Sequence, residues 1–205
     1  MLSANEIAEG LKPEAKESER LTVVPRPDIA TLVGRGGTSV DLRLGRWFRS
    51  FKQTRTNSVS LVGPEPGTGN EPTEMSRTKL HFVPFGDSYV LHPGRFVLGV
   101  TLEWLRLPPG LSGYVTGKSS LGRHGLVIET AAGIHPCFSG CLTLELANVG
   151  EVPLEIFPGM EICQIFLHRT APGSTTALGK FSGCRKPTLT PPKADSIFQK
   201  LRDGR

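Results

Sequence analysis

A chain of 205 residues is long enough for one domain with a substantial core, and 38% hydrophobic with 7% aromatic residues suits a globular protein that carries polar loops or a tail. No apolar run has the length of a membrane span and the opening MLSANEIAEG lacks the basic and apolar regions of a signal peptide, so a cytoplasmic protein with no membrane role is expected. The net charge of +5 suggests nucleic acid only until it is located: from Gly179 to Arg205 seven Lys/Arg stand against two Asp, which accounts for the whole excess. A basic tail suits a small polyphosphate equally well, and no nucleic-acid partner is expected.

In chain order, Ser3-Ala-Asn-Glu6 has the S-x-x-E pattern of a capping box and predicts a short helix from about Ala4 to Leu11. Leu21 to Pro25 reads as a strand. In Ser39-Val-Asp-Leu-Arg-Leu44, alternation places Val40, Leu42 and Leu44 on one face and Ser39, Asp41 and Arg43 on the other. Ser50 to Ser76 is rich in Ser, Thr, Pro, Gly and Asn, cannot supply a core, and is expected to be a long loop inserted into a single domain.

After it, β-type runs at His81–Phe85, Tyr89–Leu91 and Phe96–Leu107 are punctuated by Pro93-Gly94 and Pro108-Pro109-Gly110. Turns continue through Ser112-Gly113, Ser139-Gly140, Val149-Gly150 and Pro158-Gly159. Gly 24 and Pro 17 fit that rhythm, which predicts an all-β barrel or sandwich. In Cys141 to Ala147, Leu142, Leu144 and Leu146 share one face and Thr143 and Glu145 the other. Glu145 is thus an acid in the middle of a strong strand, either an ordinary exposed carboxylate or a group held for proton transfer.

The four cysteines, Cys137, Cys141, Cys163 and Cys184, lack regular spacing and are expected to be reduced thiols. A zinc deaminase needs H-x-E with P-C-x-x-C. Here Pro136-Cys137-Phe-Ser-Gly-Cys141 has one residue too many, and none of His81, His92, His124, His135 or His168 is followed two residues later by Glu. The Walker pattern fails as well, since Ser112 occupies the place of the first glycine before Gly117-Lys118-Ser119. A metal-free site remains: Lys118, Ser119, Ser120 and Arg123 fall within six residues on a glycine-flanked turn that can offer cations and N–H groups to phosphate oxygens. Lys180 and Arg185 in the basic tail are further candidates for phosphate contacts.

From Gly37 onward the chain resembles the deoxycytidine triphosphate deaminase family, a branch of the trimeric dUTPase-like superfamily. The resemblance rests on Ser39-Val-Asp-Leu-Arg-Leu-Gly45, Pro93-Gly-Arg-Phe-Val-Leu-Gly-Val-Thr-Leu-Glu103, Gly117-Lys-Ser-Ser-Leu-Gly-Arg123, Ala132-Gly133, Phe138-Ser-Gly140, Leu142-Thr-Leu-Glu-Leu146, Asn148-Val-Gly150 and Pro158-Gly-Met160. A weaker echo, Gly179-Lys-Phe-Ser-Gly183, lies where the family has its C-terminal nucleotide-covering segment, at about 172–205 here.

The resemblance implies a distorted β-barrel, a homotrimer with sites between subunits, and a substrate triphosphate that carries Mg2+. It implies deamination of dCTP to dUTP and ammonia without zinc, supplying dUTP for thymidylate synthesis. Glu145 is then the general base, with Ser119 and Arg123 in the catalytic pocket. Lys118, Ser120, His135 and Lys180 contribute to substrate binding, together with the backbone near Ala131 and Ala132.

Departures from the family pattern shape the alternatives. Lys118 stands where an arginine is usual, and the segment between Gly125 and Phe138 is one residue short. Ile134-His135-Pro136-Cys137 replaces Ile-Asp-Pro-Gly, whose aspartate activates water for dUTP hydrolysis, so His135 argues against a bifunctional deaminase and dUTP diphosphatase. Phe181 and Cys184 replace a usual tyrosine and glutamine in the tail. A nucleotide-binding regulatory trimer without turnover is the alternative from another class.

Overall fold

The computed structural model describes residues 1–53, 61–63, 77–129, 133–171, 182–189 and 194–202. The chain divides into two compact units, one of residues 1–49 and 80–188, the other of residues 50–79 and 189–205. The expected insertion at 50–76 lies largely outside the described residues, as does half of the tail at about 172–205.

In the larger unit, α1 (Ala4–Gly10) begins with the expected capping box: the Ser3 N–H donates to Glu6 Oε2 at 2.9 Å and the Glu6 N–H to Ser3 Oγ at 3.4 Å. Ile7, Ala8 and Leu11 are buried, so the helix is held by its apolar face as well as by its cap. The strand expected near Leu21 is β1 (Thr22–Val24). It is followed by α2 (Ile29–Arg35), capped by the Asp28 carboxylate at one end and by left-handed Gly36 at the other.

The remaining elements of this unit are nearly all strands. They are β2 (Ser39–Arg43), β3 (Trp47–Phe51), β4 (Thr78–Phe82), β5 (Tyr89–Leu91), β6 (Phe96–Arg106) and β7 (Leu111–Gly117). A one-turn helix, α3 (Ser119–Gly122), precedes β8 (Leu126–Glu129), β9 (Gly133–Ile134), β10 (Ser139–Asn148), β11 (Leu154–Ile156) and β12 (Glu161–Arg169). In the smaller unit, the Lys52 N–H donates to the Arg77 carbonyl at 2.8 Å, and α4 (Ser196–Arg202) is capped by Asp195, which accepts from Ile197 and Phe198.

The described strands form three sheets, ordered β4-β3-β6-β10-β8 with β1 also on β6, β2-β12-β7-β9, and β5-β11. The closed barrel is therefore corrected to open sheets facing one another across a shared core. Val97, Leu105, Leu144 and Leu146 from the first sheet meet Val40, Leu42, Val115 and Ile165 from the second. The physical reason lies in the crossing between sheets. After β2 the chain passes from one to the other at Leu44 and Gly45 through an isolated bridge, Leu44 to Thr101, and one hydrogen bond from the Gly45 N–H to the Val100 carbonyl at 2.7 Å. A Cβ on Gly45 would lie 2.9 Å from that carbonyl oxygen, so only glycine permits the approach. One bridge brings the sheets together without the continuous ladder that barrel closure requires.

Strand alternation agrees with the sequence pattern. Val40, Leu42 and Leu44 are fully buried, and so are Leu142, Leu144 and Leu146, while Thr143 and Glu145 lie half-exposed on the opposite face. At the start of β10 the pairing with β6 shifts register between Cys141 and Thr143. Buried Thr101 supports that bulge, its Oγ1 accepting from the Leu142 N–H and donating to the Glu103 carbonyl, each at 2.9 Å.

Candidate functional site

Glu145 sits on β10 in the longest pairing among the described residues. Its Cα partners are Leu98 on β6 and Glu129 on β8, so its backbone is fixed from both sides. The side chain is half-buried, and among the described residues no hydrogen bond or ion pair engages its carboxylate. A carboxylate held by rigid strands with its oxygens uncommitted is suited to moving protons.

The Ser/Lys/Arg segment forms α3 and the turn that leads into β8. Ser119 and Ser120 are exposed on α3, and Arg123 is exposed at its C-terminal end, its N–H donating to the Ser119 carbonyl at 3.1 Å. The turn then closes at Gly125, in the left-handed region at φ +90°, where a Cβ would stand 2.7 Å from the Gly150 nitrogen. The Val149 N–H donates to the Gly125 carbonyl at 2.9 Å. Asn148, buried at 1% exposure, holds the other side of this junction. Its Nδ2 donates to the Leu91 and Val152 carbonyls, both at 2.8 Å, and its Oδ1 accepts from the Gly150 N–H at 2.9 Å.

Leu126 pairs with Asn148 and Glu129 with Glu145, so the Arg123 turn enters at one end of the β8–β10 ladder and Glu145 lies at the other. Three residue steps along a strand span roughly 10 Å. Among the described residues, no hydrogen bond or ion pair joins Glu145 to Ser119 or Arg123.

Lys118 is engaged elsewhere. Its ammonium pairs with Asp41 at 3.0 Å and makes a short contact with Glu161, while Arg35 reaches Asp41 at 2.7 Å and Arg43 reaches Glu161 at 3.3 Å. Burial acts to lower the Lys118 pKa, but the hydrogen bonds it donates to Glu161 and Asp41 outweigh it and hold the group above its ordinary value. The same bond from Lys118 lowers the Glu161 carboxyl. Glu103, 5% exposed, accepts from the Arg43 N–H at 2.8 Å, and burial pushes its pKa up despite that bond.

These groups line a cleft of about 640 Å³ between α2, with the loop before it, and the β2–β12 edge. Cations and carboxylates balance across it. Asp41 and Glu161 pair with Lys118 and Glu103 lines the same cleft, and none of the three is a site residue in the sequence pattern. The available signal was Asp41 on the polar face of β2; Glu103 and Glu161 come from strands far along the chain.

His135 is exposed and its carbonyl accepts from the Phe138 N–H at 3.2 Å in a turn that places Cys137 at φ +64°. That left-handed position is where the resembled family has a glycine. Ala131, Ala132 and Lys180 lie outside the described residues. No helix among the described residues is long and apolar enough to cross a membrane.

Comparison with known proteins bears on this arrangement. The family model for dCTP deaminase-like proteins matches residues 1–170. A protein of Mycolicibacterium smegmatis named "dCTP deaminase, dUMP-forming" is 44% identical over 160 residues, covering 74% of this chain and 79% of the relative. One of the same name from Corynebacterium diphtheriae is 42% identical over 169 residues, covering 79% and 84%. The fold is similar to the crystal structure of the 2'-deoxycytidine 5'-triphosphate deaminase from Agrobacterium tumefaciens, with a TM-score of 0.56 at 21% identity. That match covers 81% of this chain but 45% of the Agrobacterium chain.

Proposed function

The chain belongs to the dCTP deaminase-like family, and from that premise we propose that it hydrolytically deaminates dCTP with Glu145 as the general base. The observation that carries the reading is the half-buried, uncommitted carboxylate of Glu145, held between β6 and β8. In the proposed reaction Glu145 removes a proton from water, the resulting hydroxide attacks C4 of cytosine, and Glu145 returns the proton to the amino group, which leaves as ammonia. Ser119 orients the water or the base, and the Arg123 guanidinium stabilises charge that develops on the ring. The carboxylate activates the water in this scheme, and no zinc is invoked.

The substrate is dCTP with Mg2+ on its triphosphate. Lys118 and Ser120, with Lys180 from the tail, contribute to the phosphate end, and His135 with the backbone at Ala131 and Ala132 borders the base. For Lys118 to serve, a phosphate must compete with Asp41 and Glu161 for its ammonium. We place the working site between subunits of a homotrimer. Supporting this, Arg123 and Glu145 lie at opposite ends of the β8–β10 ladder within one chain, which leaves room for a second copy to supply one of the two functions. As a cytoplasmic enzyme it would feed thymidylate synthesis.

Two readings differ in the fate of the triphosphate. Release of dUTP is favoured by His135, which stands where the family's water-activating aspartate is expected. Release of dUMP and diphosphate is favoured by the names of the relatives at 42–44% identity. Incubating the protein with dCTP and Mg2+ and following ammonia and nucleotides by chromatography separates them. Ammonia without dUMP supports the first, and stoichiometric diphosphate supports the second. Nucleotide binding with no product at all refutes the deaminase reading and leaves a regulatory nucleotide-binding trimer, whereas full turnover in Glu145→Gln refutes Glu145 as the general base.

A further inference from the structure

All four cysteines are free thiols, and two of them, Cys141 and Cys184, are joined through their backbones by a hydrogen bond. Residues 183–184 lie along the start of β10: the Gly183 N–H donates to the Ser139 carbonyl at 2.6 Å, and the Cys141 N–H to the Cys184 carbonyl at 2.8 Å. The approach is close because Gly140 has no side chain. A Cβ there would lie 3.2 Å from the Cys184 carbonyl oxygen and 3.3 Å from its nitrogen. Residues joined by such a bond have Cα atoms about 5 Å apart. That falls inside the roughly 4.4–6.8 Å between Cα atoms that a disulfide spans.

Both side chains are half-buried. Burial pushes the Cys141 thiol above its ordinary pKa, Arg185 opposes the rise, and Glu103 and Cys184 add to it. Further contacts seat the segment: Arg49 Nε donates to the Pro187 carbonyl at 2.8 Å, the Lys186 ammonium stands 4.2 Å from the Trp47 ring centroid, and Thr188 Oγ1 lies 3.7 Å from Cys184 Sγ. Cys141 occupies the same face of β10 as Thr143 and Glu145.

We propose that Cys141 and Cys184 form a redox-sensitive pair that hydrogen peroxide converts to an intrachain disulfide, fastening residues 183–188 alongside the start of β10, the strand that carries Glu145. The Cys184 thiolate attacks a peroxide oxygen, giving a sulfenic acid and one water. Cys141, whose burial disfavours its thiolate, is the resolving partner: its sulfur attacks the sulfenic sulfur, the S–S bond forms, and the hydroxyl leaves as a second water. Two thiols lose two electrons and two protons, and one peroxide is reduced to two waters. Cys163 is fully buried on β12 and takes no part.

The consequence for turnover rests on the deaminase reading, in which the C-terminal segment covers the nucleotide and must move as substrate enters. A fastened segment slows that exchange.

The test uses the full chain, reduced and then treated with hydrogen peroxide, alkylated, and digested for peptide mapping. A Cys141–Cys184 linked peptide is expected, on a chain that runs as a monomer on a non-reducing denaturing gel. It should be reversed by dithiothreitol, lost in Cys184→Ser and retained in Cys137→Ser. A link through Cys137, a link between chains, or full alkylation of both thiols overturns the pairing. With dCTP, oxidised protein is expected to turn over several-fold more slowly than the same sample after reduction, and Cys184→Ser to show no such difference. Equal rates in the linked and reduced forms overturn the control of the segment. The deaminase reading fails separately, through absence of product from reduced protein.

Discussion

Asn148 joins the strand that carries Glu145 to the turn that carries Arg123, and its replacement tests how much of the site depends on that junction. The side chain is buried and makes three hydrogen bonds, donating to the Leu91 and Val152 carbonyls and accepting from the Gly150 N–H. At about 1 kcal/mol net for each bond, with more for a buried group left unpaired, Asn148→Ala should cost about 3–5 kcal/mol. With a urea slope of roughly 2–3 kcal/mol/M, the unfolding midpoint falls by about 1–2 M.

Asn148→Asp is the sharper probe. It keeps the acceptor for Gly150 but turns the donor that faced two carbonyls into an oxygen, so burial and those carbonyls raise the new acid's folded-state pKa above its unfolded value near 3.9. Between the two values the folded state binds more protons than the unfolded state, and stability falls as pH rises. The gap to wild type is therefore smallest below about pH 4 and widens on going up through the folded pKa. Urea titrations at fixed protein concentration over a pH series measure both effects. A loss below about 1 kcal/mol for the alanine variant, or a pH-independent loss for the aspartate variant, would refute the reasoning.

Other expectations follow from single contacts. Glu145→Gln should lower kcat about 10²- to 10⁴-fold with little change in nucleotide binding, measured as ammonia release and by calorimetry. Thr101→Val keeps the volume but leaves the Leu142 N–H at the β10 bulge without its acceptor, and should cost about 1–3 kcal/mol in chemical denaturation. Because burial raises the Glu103 pKa, wild-type stability contains a component that declines as pH rises from the unfolded carboxyl value through the folded one. Glu103→Gln, whose amide oxygen still accepts from the Arg43 N–H, should gain on wild type across that rise and not below it; a constant offset would contradict this. Cys137→Gly relieves a left-handed cysteine at a cost in unfolded-chain entropy, and should raise stability by about 0.5–1 kcal/mol, read as a higher urea midpoint.

Local chemistry determined a good part of this protein. The capping box at Ser3 and Glu6, the buried faces of β2 and β10, and the position of Glu145 opposite the core follow from spacings of two to four residues, and those spacings are complete in the sequence. The short helix α2 was equally available, between Asp28 as cap and Gly36 as left-handed end, but it has no fully buried residue, with Ile29 and Leu32 only partly buried against the core, and so left a weaker apolar signal.

Tertiary structure decided the rest. Whether strands close a barrel depends on which edges meet, and here Leu44 and Thr101 make one bridge where a barrel needs a ladder. Alternation assigns a face to each strand but carries no information about its neighbour. Lys118 read as a phosphate ligand because nothing near it in sequence opposes it; Asp41 and Glu161 reach it from 77 positions before and 43 after. The same holds for Cys141 and Cys184, 43 residues apart and irregularly spaced, which become neighbours only because the backbone at Gly140 leaves room for a segment to lie against it. Contacts that close long stretches of chain are selected by the packing of the whole core, and no short window of sequence contains that sum.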